Sequence, residues 1–163
     1  MPVHAPRGAE RFIAQLLGDD EEFPKICRFS EVAAGDRLSL GPFDLSLHTA
    51  AHPVEALATR VSVGGRVLAY SGDSAPTPAL VDCARDADLF VCDATWLERQ
   101  RPLPADIHCT GAEAGAMAAE AGVSRLLLTH VYPATDPDEV AAEARTRYDG
   151  EVLVADDLME LEL

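Results

Sequence analysis

The chain has 163 residues, of which 48% are hydrophobic and 25% are charged. These values are typical of a folded globular protein, so we expect one domain spanning residues 1–163. The formal net charge is −15, from 13 basic and 28 acidic residues, and such a field repels polyanions and makes long nucleic acids unfavourable partners.

The first half of the chain is predicted to be mostly sheet. Helical spacing of apolar residues predicts one surface helix between Pro6 and Leu17, ended by Gly18 and the four acidic residues that follow it. Alternating runs then predict two pairs of strands. The first pair is residues 37–40 with 43–49, and the second is 58–63 with 66–70 around Gly64-Gly65, whose glycines allow the positive φ of a tight hairpin.

Helices and strands alternate in the second half. We predict helix 78–85, strand 88–92, helix 112–121 and strand 125–128, an order typical of a layered α/β fold. Capping patterns fix two helix starts, Thr110 with Glu113 and Asp136 with Glu139, the second supported by Pro137. Residues 151–155 and 158–163 alternate around Asp156-Asp157 and predict a final hairpin.

The four cysteines contain no CxxC pair, which favours buried reduced thiols and a cytoplasmic protein. The N-terminal residues do not resemble a signal peptide, and no apolar run approaches the roughly 20 residues of a membrane span. We therefore expect neither secretion nor membrane insertion.

Two predicted strands end in potential metal ligands. The run 126–129 leads directly into His130, and the run 67–70 leads through Ser71-Gly72 into Asp73. Imidazole and carboxylate groups suit zinc or manganese. Taken alone, a histidine at a strand end is more often a hydrogen-bonded structural residue, so the combination carries more weight than either position.

Five short motifs, in this order, together resemble the later half of the metallo-β-lactamase-fold hydrolases, and most of all their ribonuclease Z-like phosphodiesterase branch. They are His52-Pro53, Tyr70-Ser71-Gly72-Asp73, Cys92-Asp93-Ala94-Thr95, His108-Cys109-Thr110-Gly111-Ala112-Glu113-Ala114-Gly115 and Leu128-Thr129-His130. The resemblance extends over nearly the whole chain. It implies an αββα sandwich, of which this chain forms largely the C-terminal half, a mixed sheet with flanking helices.

The resemblance also implies metal ligands. His52 would bind one metal, His130 the second, and Asp73 would bridge the two. The expected cofactor is zinc, two ions per complete site, with manganese as an alternative. His48 lies four residues before His52, a spacing that would place both on the same strand face, and the family pattern favours His52 over it.

Two further residues correspond to catalytic positions of the family. His108 matches a histidine that lies over the metals without binding them, where an imidazole can contact the scissile phosphate or protonate the leaving oxygen. Its alternative role is that of a structural histidine at the entry of a helix. Asp93 stands where relatives usually have glutamate, and it could orient His108 or a ligand histidine. Ser74 stands where threonine commonly follows the bridging aspartate.

The most diagnostic family motif, His-x-His-x-Asp-His, does not occur in this sequence, whose histidines are His4, His48, His52, His108 and His130. A catalytic zinc site needs at least three protein ligands, so we expect weak metal binding and little activity from this chain alone. We expect a fragment, a misassigned start codon or a split product, and also an apolar sheet face that supports homo-oligomers or association with another chain.

The expected substrate is a small phosphodiester, with a cyclic nucleotide as one candidate. Ribonuclease Z proteins that process tRNA carry a long basic arm before the bridging aspartate, but residues 53–72 are fully used by the Gly64-Gly65 hairpin. A tRNA 3′-processing endonuclease is therefore the less favoured reading. A β-lactam or thioester hydrolase and a non-catalytic interaction domain that retains motif relics are further alternatives.

Overall fold

A computed structural model describes residues 1–18, 23–103 and 107–163. Its strands are β1 (Pro2–Ala5), β2 (Arg28–Glu31), β3 (Arg37–Leu40), β4 (Phe43–Ala50), β5 (Ala56–Val63), β6 (Arg66–Tyr70), β7 (Leu89–Asp93), β8 (Arg125–Thr129) and β9 (Glu151–Val154). Its helices are α1 (Ala9–Leu16), α2 (Phe23–Ile26), α3 (Pro78–Ala84), α4 (Gly111–Ala121) and α5 (Pro137–Arg145), with a 3₁₀ turn at Glu98–Gln100.

Strands β3 to β9 form one mixed sheet in sequence order, and β1 pairs with β2 in a small parallel sheet. The pairs from β3 to β6 are antiparallel, and those from β6 to β9 are parallel. The predicted hairpin between β5 and β6 is confirmed, with φ of 58° at Gly64 and 80° at Gly65. The predicted α/β class, a mixed sheet with flanking helices, is also confirmed.

The parallel strands are connected through helices, because a parallel pair needs a crossover. Helix α3 packs on β4, β5 and β6, α4 on β7 and β8, and α5 on β9, and each helix also contacts the next along the chain. The capping prediction at Thr110 is confirmed, since its hydroxyl accepts from Glu113 N and Glu113 Oε2 accepts from Thr110 N. Asp136 caps α5 through Asp138 N, while Glu139, the predicted capping partner, donates its N–H to the Asp136 carbonyl.

The two faces of the parallel region differ in burial. In-register residues on one face, Ala69, Phe90, Leu126 and Val152, are at most 6% exposed and belong to the core under the helices. The next row points to the opposite face because side chains alternate along a strand. In that row Tyr70 is exposed, Val91 and Leu153 are half-buried, and Leu127 is buried. This second face is apolar but only partly covered by the described residues.

Two local predictions were wrong or incomplete. Residues 158–163 do not form a strand; β9 instead pairs in parallel with β8, since α5 returns the chain to the free edge beside β8. The predicted surface helix is present as α1, but its apolar residues Phe12 and Leu16 are 62% and 70% exposed, so its apolar side is not covered by the described chain.

The four cysteines are free, and all four are buried, where the sequence settings favoured burial of three. No helix in the described part of the chain is long and apolar enough to cross a membrane.

Candidate metal centre

The candidate site lies where β6, β7 and β8 end at the same edge of the sheet. Asp73 follows β6, Asp93 is the last residue of β7, and His130 follows β8 directly. His108 immediately precedes Cys109 and Thr110, the residue that caps α4. Parallel neighbouring strands end at one edge, so residues distant in sequence become neighbours here.

Three of the predicted residues offer ligand atoms that lie within 4.8 Å of one another: Asp73, His108 and His130. His130 Nε2 is 3.9 Å from Asp73 Oδ2, and the rings of His108 and His130 have centroids 4.8 Å apart. Two ligands at ~2 Å from one tetrahedral zinc ion lie about 3.4 Å apart. Two imidazoles and a carboxylate at these distances fit a zinc ion in donor chemistry and, with small side-chain shifts, in spacing.

His52 stands beside this group rather than in it. It lies in the bend between β4 and β5, and its ring centroid is 6.0 Å from that of His108. Its role as a ligand stays a prediction. His48, the less favoured alternative, lies on β4 with Nε2 3.1 Å from Ser46 Oγ, in a separate groove that includes Arg37 and Arg60.

Asp93 is fully buried and accepts four hydrogen bonds. Its Oδ1 accepts from Thr95 N at 3.0 Å and from Thr95 Oγ1 at 2.8 Å. Its Oδ2 accepts from Ser74 N at 3.2 Å and from His108 Nδ1 at 2.6 Å. Since the Nδ1–H of His108 is used by this contact, Nε2 is the nitrogen available for other chemistry. Asp93 therefore orients His108. Although aspartate is shorter than the glutamate that relatives usually have here, its carboxylate reaches the ring.

Ser74 joins the end of β4 to the loop that carries Asp73. Its hydroxyl accepts from Ala51 N at 2.8 Å and donates to Ala75 O at 2.7 Å, and the residue is fully buried. The Ser74 N–H also donates a hydrogen bond to Asp93 Oδ2. Ser74 therefore has a larger structural part than the sequence alone suggested, because nothing in the sequence reveals which backbone groups a loop hydroxyl will reach.

Two neighbours of the site stay neutral. Cys109 donates to Ser74 O at 3.1 Å, and its hydrogen bond with Cys92, together with burial, raises its pKa well above the usual range. The group of ligand atoms formed by Asp73, His108 and His130 does not include Cys109. Burial, with Asp73 and Asp93 nearby, raises the pKa of Tyr70 at the end of β6.

Comparisons with known proteins place the chain in a family. The Beta-lactamase superfamily domain family matches residues 1–131. The chain belongs to this family. An uncharacterized protein of Mycobacterium tuberculosis is 39% identical over 147 residues, covering 88% of this chain and 54% of that protein. A Haloarcula marismortui protein named ribonuclease Z is 41% identical over 116 residues, covering 67% of this chain and 37% of that protein.

Solved structures share the fold. The metallo-beta-lactamase fold protein YhfI from Bacillus subtilis matches with a TM-score of 0.81 and 27% identity, over 94% of this chain and 61% of that one. A diphosphatase from the PhnP family matches with a TM-score of 0.72 and 18% identity, over 99% of this chain and 58% of that one, which is a likeness of fold alone. The chain spans about half the length of the curated relatives it matches first.

Proposed function

We propose that this chain contributes part of the active site of a metal-dependent hydrolase that cleaves a small phosphodiester. The observation that carries the proposal is the group formed by Asp73, His108 and His130, with His108 held by the buried Asp93. Metal-binding groups beside an oriented imidazole are the parts that assisted hydrolysis requires. Membership in the β-lactamase superfamily supports the same proposal.

We propose His52, Asp73 and His130 as the residues that hold zinc, with manganese as the second candidate. A complete site would hold two ions, with Asp73 between them. The metal would supply Lewis acidity toward the oxygens of the phosphoryl group. His-x-His-x-Asp-His is not present in this sequence, so we expect the chain alone to bind zinc weakly and to show little or no activity.

His108 is proposed to hold a proton at Nε2 and pass it to the leaving oxygen as the P–O bond breaks. Asp93 supports this role, because its hydrogen bond with Nδ1 holds the imidazole in one orientation and leaves Nε2 free to face the leaving oxygen. Water supplies the hydroxyl group of the product monoester, the proton from His108 completes the product alcohol, and the second proton of the water returns the His108 ring to its starting state. A ligand role for His108 is the competing assignment, since its donor atom lies within 4.8 Å of those of Asp73 and His130.

A small substrate fits the space beside His108. A cavity of about 470 Å³ is lined by His108, Arg101 and Glu113 and by the apolar residues Ala51, Ala75, Pro76, Pro102 and Leu103. Ligand pockets for small molecules commonly have volumes of about 300–1,000 Å³. A cyclic nucleotide is one candidate, because the apolar walls suit a base; Arg101, which also lines the cavity, is already paired with Glu98 and Glu113.

A tRNA 3′-processing endonuclease is the second candidate, and the similarity to a protein named ribonuclease Z favours it. Two observations weigh against it. Residues between His52 and Asp73 form β5, a tight turn and β6 with no inserted arm, and the net charge of −15 opposes RNA binding.

We also propose association through the partly covered sheet face that carries Tyr70, Val91 and Leu153, either between copies of this chain or with another polypeptide. Four buried, unpaired thiols agree with a reducing compartment, and we propose the cytoplasm. A purely non-catalytic interaction domain is the remaining alternative.

The test combines zinc titration with hydrolysis assays. The chain would be titrated alone and together with a polypeptide that carries a His-x-His-x-Asp-His segment from a relative, and assayed on bis(4-nitrophenyl) phosphate, cyclic AMP and a tRNA precursor. We expect weak zinc binding alone, tighter binding in the mixture, and cleavage of the small diesters only. The matched variants are Asp73→Asn, which should abolish the gain, and His48→Ala, which should not.

Tight stoichiometric zinc binding by the chain alone would contradict the expected ligand deficit. Cleavage of the tRNA precursor in preference to the small diesters would favour the second candidate. No cleavage of any substrate by a mixture that binds zinc tightly would overturn the phosphodiesterase proposal and favour the interaction domain.

A further inference from the structure

The Thr95 side chain lies between Asp93, the buried carboxylate that orients His108, and His130, a proposed metal ligand. It is 4% exposed. Its Oγ1 is 2.8 Å from Asp93 Oδ1, 2.8 Å from His130 Nδ1 and 3.0 Å from the carbonyl oxygen of His130. One hydroxyl group thus contacts a carboxylate, an imidazole and a backbone carbonyl.

The number of protons decides which partner donates. A hydroxyl group has one proton to donate and can accept through its lone pairs. If that proton went to His130 Nδ1, Thr95 Oγ1 would face two acceptor oxygens, at 2.8 Å and 3.0 Å, with no proton between them. The hydroxyl therefore donates to these oxygens, and His130 Nδ1–H donates to Oγ1. In the neutral ring this arrangement leaves His130 Nε2 without a proton, and Nε2 is the atom near Asp73.

The backbone of His130 also depends on this segment. Its φ is 57°, a left-handed conformation that is uncommon for residues other than glycine. The neighbouring backbone groups are bonded to the same segment, since Ala94 N donates to Thr129 O at 2.9 Å and Tyr132 N to Thr95 O at 3.4 Å. The contact of Thr95 Oγ1 with the His130 carbonyl completes this support on the residue itself.

We propose that Thr95 is a positioning residue that selects the Nδ1–H tautomer of His130 and holds its ring and backbone in place. Through Thr95, Asp93 orients a second imidazole besides His108, so that one buried carboxylate controls both histidines. The choice of tautomer follows from hydrogen bonds within this chain and does not depend on the proposed function. Its consequence for metal binding rests on the proposed function, because only an unprotonated Nε2 can be a ligand.

The test is a long-range ¹H–¹⁵N correlation spectrum of the metal-free chain with ¹⁵N-labelled histidine at pH 8. His130→Gln would assign the His130 signals. We expect the Nδ1–H tautomer of His130 in the wild type and in Thr95→Ser. In Thr95→Val, which has a similar shape without the hydroxyl, we expect the tautomer ratio to shift by about fivefold toward Nε2–H, the effect of losing one hydrogen bond. His108 should keep its Nδ1–H tautomer, because it contacts Asp93 directly.

Zinc titration of the same variants provides the second readout. Removing a group that orients a ligand histidine lowers metal affinity by about 10–100-fold, and we expect the lower end for Thr95→Val and recovery in Thr95→Ser. Thr146→Val, at the end of α5, is the matched control, and urea unfolding would verify that each variant is folded.

Nε2–H as the dominant wild-type tautomer would overturn the proposal even if no variant folded. An unchanged His130 signal in folded Thr95→Val would do the same. A shifted tautomer in variants of a chain that binds no zinc, alone or complemented, would support the assignment of Thr95 while contradicting the proposed metal site.

Discussion

The two carboxylates of the site, Asp93 and Asp73, are held in opposite ways. Asp93 is fully buried, accepts four hydrogen bonds and contacts His108 directly. Asp73 has a side chain that is 47% exposed and lies 3.9 Å from His130 Nε2. The difference indicates a division of tasks: the residues that orient the histidines are built into the core, whereas the groups proposed to bind metal face the open side of the site.

The largest expected effect is from Asp93→Ala. Removal of this carboxylate takes the acceptor from two backbone N–H groups and from His108 Nδ1–H, and it leaves the Thr95 hydroxyl with only the His130 carbonyl as acceptor. Breaking such a buried network lowers the free energy of unfolding by about 3–5 kcal/mol. Urea unfolding would measure it. Asp73→Ala is the control, and an exposed carboxylate of this kind should change stability by less than about 0.5 kcal/mol. Equal losses in both variants would refute the division.

The next largest effect concerns the packing of helix α4 against helix α5, which cover the buried face of the sheet. A Cβ added at Gly115 in α4 would meet the backbone of Ala144 in α5, with the Ala144 Cα at 2.9 Å. Gly115→Ala should therefore lower the free energy of unfolding by about 1–3 kcal/mol, although alanine is the better helix former. Ala119→Gly, on the exposed side of α4, gives the propensity effect alone. Zinc affinity should stay unchanged in Gly115→Ala. A gain in stability would contradict the expected clash, because it would show that α4 and α5 move apart at little cost.

His130→Ala tests whether the exposed groups of the site bind metal without contributing much to stability. We expect zinc affinity to fall by more than about tenfold, the lower limit for groups that only orient a ligand, and the free energy of unfolding to fall by only about 1 kcal/mol, for the lost hydrogen bond to Thr95. Isothermal titration with zinc would measure the first and urea unfolding the second. His52→Ala should lower zinc affinity as well if the predicted ligand role holds, while His48→Ala, in its separate groove, should not. A large loss of stability in His130→Ala would place this residue on the structural side of the comparison.

The smallest effect lies away from the site, at Asp88 before β7. Hydrogen bonds from Val67 N and from Arg66 lower the pKa of this carboxyl. Its contribution to stability is therefore fully present above the ordinary value of about 3.9 and is lost as the pH falls through the lower value of the folded state. The difference in urea midpoint between wild type and Asp88→Asn should be constant at neutral pH and shrink in this acidic range. A difference that grows with acidity would have the wrong sign.

Much of the fold could be predicted from local patterns. The Gly64-Gly65 hairpin, the cap at Thr110 and the alternation of helices with strands all depend on residues close in sequence, and the structure contains them. The prediction of a final hairpin was wrong because it also used only residues close in sequence. Residues 151–163 alternate as two strands would, but β9 gains more by pairing with the free edge of β8, which a local pattern does not reveal.

The candidate site shows the same limit. The family resemblance implied His52, Asp73 and His130 as metal ligands, with His108 and Asp93 beside them. The structure brings Asp73, His108 and His130 together and leaves His52 next to this group. The part played by Thr95 was not predicted, although it belongs to a recognised motif, because a threonine after a strand has no distinctive spacing. Its three contacts exist only once β7 and β8 lie side by side.

The sequence by itself determined the elements, the family and the residue types available for chemistry, because helix caps, hairpin glycines and ordered motifs act over short distances. Only the tertiary structure decided which nitrogen of each histidine is left free and that His52 stands apart from the group of three. Those outcomes depend on hydrogen bonds between side chains 15 to 35 positions apart, such as His108 with Asp93 and Thr95 with His130. Such bonds form only after the parallel strands have brought their ends to one edge of the sheet.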